Sequence, residues 1–308
     1  MKANKNEVNN ILEINVPFNQ RSNNEPLRVL TEEQFQFFKH NGYVVVPNVL
    51  PKEKIERTVD LIWEFEEKSP NDKSTWYKKP LAEHQMPELV NSGMVELYNH
   101  QYLWDNRTHQ KIYDAFVDIW GVEELWCSID RCNINFPVTD DHQFEGFIHW
   151  DVDTSLDPAP TNVQGILYLT DTDEEMGGLN VIPELFRDLP EWKKTQPSDR
   201  DPWHPDYTGY TPTKVTLKAG DLLIFNVLQA HGLRPNVSNE ACISQYISMF
   251  PAQPQNESLT QWRETQWRDR VIPEGIAFPG DPRNLEQTKF KQAELTTLGE
   301  KLLGIKAW

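Results

Sequence analysis

From about residue 124 the hydrophobic period of this chain changes to two, and no other feature restricts its fold as much. Leu125 to Phe136 alternates so that Arg131, Asn133 and Asn135 share one face and Cys132, Ile134 and Phe136 the other. Further short apolar runs follow at Phe147–Asp151, Val163–Leu169, Leu179–Ile182, Val215–Leu217, Leu222–Phe225 and Gln245–Phe250. Turn-forming sequence separates them, including Asp140-Asp141-His142, Gly177-Gly178 and Ala219-Gly220-Asp221. Strands this short and this numerous, without helices between them, predict an antiparallel core. With helices before and after, the class is α+β, most simply a double-sheet jelly roll closed by flanking helices.

The leading part supplies those helices. Residues 1–28 read as a flexible arm. Thr31 and Gln34 form a capping box, and Asn41-Gly42 closes the helix that follows. Tyr43–Val46 is a short β-branched strand. Pro51 suits the first turn of a second helix, with Ile55, Val59, Ile62 and Phe65 or Glu66 at helical spacing. Residues 68–94 show no period, and Thr108–Trp120 is helical again, stopped by Gly121. Asp188–Tyr210 reads as a Pro- and Trp-bearing insertion long enough for a lid. From Leu259 the tail reads mainly as helix, including Asn284–Leu303. Residues 29–308 are thus expected to form one domain, with the catalytic core at about 124–252.

Composition excludes several functions. A net charge of -17 leaves no basic excess for a phosphate backbone or an anionic membrane, and no 20-residue apolar span is present. The polar, Asn-rich start lacks a signal-peptide core. Three cysteines without CxxC spacing suit free thiols, so a cytoplasmic protein is expected. Apolar content is modest, yet 11 Trp and 14 Phe supply enough ring area for a sizeable core.

Chemistry concentrates at His149-Trp150-Asp151. In an extended strand His149 and Asp151 point the same way and Trp150 points away, into the core. With His231, which follows the Leu222–Phe225 strand, they match two imidazoles and one carboxylate on one face of an octahedral ion, the non-haem Fe(II) pattern. Rival groups are His142 with Asp140 and Asp141, and His204 with Asp201 and Asp206; both lie in turn-like sequence where carboxylates are solvated.

The series Leu30-Thr31-Glu32-Glu33-Gln34, Gly42–Pro47, His149-Trp150-Asp151, Gly177–Pro183 and Ala219–Phe225 through His231-Gly232 resembles the phytanoyl-CoA dioxygenase family over about residues 30–250. The resemblance implies a double-stranded β-helix of the cupin-like kind, with Fe(II) on His149, Asp151 and His231 and 2-oxoglutarate as cosubstrate. The family places an arginine eleven residues past the distal histidine, and here that residue is Cys242. A thiol cannot make the bidentate contact arginine makes with a carboxylate. Arg234 and Arg131 are the candidates to replace it, and Gln164 is a candidate hydrogen-bond donor to the cosubstrate.

The expected function is an Fe(II)- and 2-oxoglutarate-dependent oxygenase that uses O2 to hydroxylate or otherwise oxidise a C–H bond of a small-molecule metabolite. Two alternatives stand beside it: an iron oxidase that does not use 2-oxoglutarate, and a non-catalytic jelly-roll binding protein. No basic cluster near the motifs marks an acyl-CoA pocket, and neither nucleic acid nor membrane is an expected partner.

Overall fold

A computed structural model describes residues 14–22 and 25–308. The expected arm over 1–28 lies mostly outside the described residues. Its described part is not free: Phe18 packs on Phe38 and Trp120, and the Asn19 amide donates to the Ile119 carbonyl at 3.0 Å.

The chain opens with α1 (Glu32–Asn41), β1 (Tyr43–Val46) and α2 (Lys52–Phe65), followed by two single 3-10 turns under the aperiodic stretch. The Thr31/Gln34 capping box forms, and Gly42 closes α1 at φ 73°, a left-handed turn that glycine takes without strain. Next come β2 (Met94–Val95), α3 (Gln101–Arg107), α4 (Gln110–Trp120), β3 (Leu125–Cys127), β4 (Cys132–Asn135), β5 (Val163–Tyr168), β6 (Leu179–Val181) and α5 (Pro183–Thr195). The remainder is β7 (Thr213–Lys214), β8 (Leu222–Asn226), β9 (His231–Leu233), β10 (Cys242–Tyr246), β11 (Met249–Pro251), α6 (Glu257–Arg268), α7 (Leu285–Thr288) and α8 (Thr297–Leu303).

A six-stranded antiparallel sheet runs β1-β8-β5-β10-β4-β2, and a smaller one runs β7-β6-β9. Ile166, Tyr168, Leu223, Phe225 and Cys242 of the large sheet meet Leu179 and Val181 of the small one in an inner core. The alternate residues Leu167, Leu222, Ile224, Ile134 and Cys132 face the helices instead. Both faces of the large sheet are therefore covered, which explains why β8 reads as an unbroken apolar run. This is the jelly-roll core with flanking helices expected from the period change, and the double-stranded β-helix that the resemblance implies.

Two carboxylates fasten the helical layer to the sheet. Asp221 of the Ala-Gly-Asp turn accepts from the backbone amides of Asn48 (2.9 Å) and Lys218 (2.8 Å), joining β1 to β8. Buried Asp118 on α4 accepts three amides of the incoming chain, Arg28, Val29 and Leu30, at 2.8–2.9 Å. Asp118→Ala strands those donors and is expected to cost roughly 3 kcal/mol or more. Asp118→Asn, which keeps one acceptor oxygen, should lose less. Urea denaturation of the two variants checks the order.

Four local expectations are corrected. The run Leu125–Phe136 breaks after Cys127, because β3 pairs with β11 while β4 joins the large sheet. The expected insertion at 188–210 begins as helix: α5 continues through Pro190, held by Leu185, Leu189 and Trp192 buried against Trp150. The tail is helical only over α6, α7 and α8, with irregular chain at 289–296. The Phe147–Asp151 run makes one bridge, His149 to His231, rather than a regular strand. Among the described residues, no helix is long and apolar enough to cross a membrane.

Candidate metal centre

His231 begins β9, and its backbone exchanges both hydrogen bonds with His149: His149 N to His231 O at 2.8 Å, and the reverse at 3.0 Å. In such a pair the two residues are directly opposed and their side chains emerge on one side. The rings lie 4.6 Å apart. The chain then leaves the strand, because Trp150 N donates to Trp203 O at 2.7 Å. The Trp150 side chain is buried as expected, its indole N–H donating to Leu228 O at 2.9 Å.

Asp151 faces both imidazoles. One carboxylate oxygen lies 3.2 Å from His149 Nε2 and the other 3.2 Å from His231 Nε2. Among the described residues this is the one group of three metal-capable side chains, with ligand atoms all within 4.8 Å of one another. The rival groups do not assemble: His142 packs its ring against Tyr77, and His204 makes only an exposed contact with Asp201.

The surroundings prepare each ligand. The Gln229 carbonyl, 2.9 Å from His231 Nδ1, can only accept, so Nδ1 keeps its proton and Nε2 is the nitrogen a metal would take. Burial would raise the Asp151 carboxyl, but the two imidazoles outweigh it and hold the group well below the ordinary carboxylate range. It is therefore anionic, as a metal ligand must be. Gln164, at the start of β5 in the large sheet, donates to Asp151 at 2.6 Å. Its amide lies on the triad's carboxylate, an orienting contact the sequence reading did not anticipate. Phe147 and Phe225 lie against His149 and His231 at 4.8 and 4.5 Å.

The two arginines part company. Arg131 is buried and gives Nη1 to Glu96 at 2.5 Å and to the Ala277 carbonyl at 2.7 Å, so its charge already has a carboxylate partner. Arg234 is 3 % exposed, and among the described residues the one hydrogen bond of its guanidinium runs to the Asp173 carbonyl. Its Nε and Nη1 are buried and unpartnered. A side chain at Gly178 would lie 3.6 Å from both Arg234 Nη2 and Tyr168 Oη, and would strike Thr172, whose hydroxyl is 3.4 Å from Cys242 Sγ. Arg234 therefore brings its guanidinium to the neighbourhood of Cys242 from a different strand. The acceptor Asn135 Oδ1, opposite Cys242 in the β4–β10 ladder, is also buried and unpartnered.

A jelly roll with a His-Asp-His cluster between its sheets defines a class of metal-binding β-folds, and the comparisons narrow it. The family model for phytanoyl-CoA dioxygenase (PhyH) matches residues 38–241, and the chain belongs to that family. It is 26% identical over 242 residues to "Ava biosynthesis cluster protein O" of Aspergillus versicolor, covering 70% of this chain and 76% of that one. Among solved structures it is similar to a putative oxidoreductase from Salmonella typhimurium LT2, with TM-score 0.63, 16% identity and coverage of 90% and 83%. It is also similar to SnoN, described as a non-heme alpha ketoglutarate dependent epimerase from nogalamycin biosynthesis, with TM-score 0.52, 15% identity and coverage of 72% and 82%.

Proposed function

We propose that this chain is an Fe(II)- and 2-oxoglutarate-dependent oxygenase that oxidises a C–H bond of a small-molecule metabolite, with His149, Asp151 and His231 holding the iron. The observation that carries the reading is the pairing of that triad with a buried guanidinium at Arg234 that has two unpartnered nitrogens and, among the described residues, no carboxylate in direct contact. An unpaired buried cation is costly, so the site favours an anion there. The far carboxylate of 2-oxoglutarate supplies one of the right size for bidentate contact. Family membership supports the reading, and so does SnoN, which has been solved in complex with Fe3+, alpha ketoglutarate and nogalamycin RO.

When bound, Fe(II) with 2-oxoglutarate and O2 supplies an oxidant strong enough for an unactivated C–H bond, which no side chain is. The protein's own part is positioning. Gln229 fixes the tautomer of His231, Gln164 holds the Asp151 carboxylate, and the rings of Phe147 and Phe225 screen the imidazoles from water. Arg234 binds the cosubstrate's far carboxylate and Tyr168 stands beside it. Arg131, already paired with Glu96, is left for the substrate side.

The test is anaerobic loading with Fe(II), titration with 2-oxoglutarate, then admission of O2 and measurement of succinate. Stoichiometric iron, saturable 2-oxoglutarate binding and oxygen-dependent succinate are expected. Iron binding without either of the others would instead support an oxidase that does not use 2-oxoglutarate. Arg234→Met should weaken 2-oxoglutarate by roughly 30-fold or more while leaving iron affinity unchanged. Arg234→Lys should recover only part, because an ammonium lacks the planar fork. Unchanged 2-oxoglutarate affinity in Arg234→Met would remove Arg234 from this role.

A further inference from the structure

At the β2 edge of the large sheet, beneath the chain at 66–93, lies a cleft of about 380 Å³. Its walls carry rings: Trp76 and Phe136 are 5.4 Å apart, and Tyr77 and His142 5.3 Å. Met94 also lines it, and the Met94 sulfur is 3.9 Å from the amide of Asn133, a residue of the inner face of the barrel. The cleft therefore lies at the sheet edge, with Ile134 and Phe136 of the helix-facing side in its wall and Met94 beside the inner-face residue Asn133.

One polar side chain in this lining is built for a ligand. His84 is 6% exposed, and its Nδ1 is buried without a hydrogen-bond partner. Its Nε2 lies 3.8 Å from the Glu96 carboxylate that also holds Arg131. The ring also donates to the Ala277 carbonyl, which can only accept; Nδ1 is the nitrogen without a partner, so the proton sits on Nε2 and Nδ1 is left as an acceptor. Burial and the charge of Arg131 both hold the imidazole's pKa down, so it stays neutral. Two of the three lysines of the cleft are paired, Lys68 with Glu66 at 3.0 Å and Lys79 with Glu83, and the third, Lys78, is exposed to solvent.

We propose that this cleft binds a flat, uncharged aromatic molecule that donates one O–H or N–H to His84 Nδ1, and that such a molecule is the class of substrate brought to the barrel. Tyr77 and His142, the rings of the lining that are not buried, supply stacking surface, and the buried acceptor of His84 supplies orientation. The word substrate rests on the oxygenase reading; the binding does not, so it is tested without metal.

The probes are indole, which has the donor, and 1-methylindole, which has lost it. Titration of the full chain in the presence of a chelator should show indole binding roughly tenfold tighter, the net worth of one buried hydrogen bond. His84→Phe should erase that difference, and His84→Gln, which keeps an acceptor, should retain part of it. Equal affinities for the two probes in the wild-type protein, or no binding of indole, overturn the proposal whatever the variants do. Succinate formation in iron-loaded protein reports on the oxygenase reading separately.

Discussion

Asp151→Ala is expected to abolish stoichiometric Fe(II) binding and oxygen-dependent turnover while the protein stays folded. Asp151 supplies the only carboxylate of the triad, and both of its oxygens face an imidazole nitrogen at 3.2 Å. Losing an outer partner of a metal ligand typically costs about 10–100-fold in affinity, so losing a ligand and the negative charge together exceeds that range. The fold is not at stake, because Asp151 is half-buried at the mouth between the sheets and belongs to no regular strand. Removing it also leaves Gln164 without its carboxylate acceptor, a loss water can repair at an open site. Asp151→Glu is the informative companion: the charge is restored, but the oxygens move outward by one methylene, so partial iron binding with little turnover is expected. Metal analysis after gel filtration, with far-UV circular dichroism as the folding control, decides it. Wild-type iron content in Asp151→Ala would remove these three side chains from the centre of the function.

The His-Asp-His cluster was legible because metal chemistry restricts residue type and strand geometry restricts spacing. His149 and Asp151 stand two apart, and His231 follows a run of apolar residues that had to be a buried strand. The layering was legible for the same reason, since strands covered on both faces and strands covered on one carry different patterns. Partnerships over long sequence distances were not. Arg131 was placed on the inner face correctly, yet its partner Glu96 lies 35 residues earlier in aperiodic sequence, and nothing local announces the pair. The three-amide clamp of Asp118 on Arg28, Val29 and Leu30 is equally silent, because the acceptor is a side chain and the donors are backbone. Pro190 misdirected the reading of α5: a proline inside a helix normally ends it, but burial of Leu189 and Trp192 carries this helix through.

Cys242 shows how a motif can lack its cation while the fold brings another one nearby. At that position the sequence shows a buried thiol, whose pKa burial pushes up, and so no cation. The structure brings Arg234, the residue just after β9, to the same locality, beside Tyr168 and Gly178, with two guanidinium nitrogens unpartnered. A spacing rule records where a backbone position lies; it does not record which neighbouring strand can deliver the charge. The proposed binding role of Arg234 depends on that second quantity.

Gly232→Ala is the second large effect expected, and it comes from a residue with no functional atom. A Cβ there would stand 1.5 Å from the Phe147 carbonyl oxygen and 2.6 Å from its carbon. Both atoms are backbone, so no side-chain rotation relieves the clash, and β9 must move away from the chain that carries His149. The two hydrogen bonds joining His149 and His231 are the first to break, and the imidazoles separate. Pairing of β9 with β6 through Leu179, Asn180 and Val181 lies on the opposite edge and can persist. The variant should therefore keep most of its secondary structure, melt at a lower temperature and lose iron affinity by at least the 10–100-fold typical of disturbed ligand support. All three ligands remain in the chain, so this separates their presence from their placement. If Gly232→Ala binds Fe(II) as the wild type does, the close passage of Phe147 over β9 is not what holds the two histidines together.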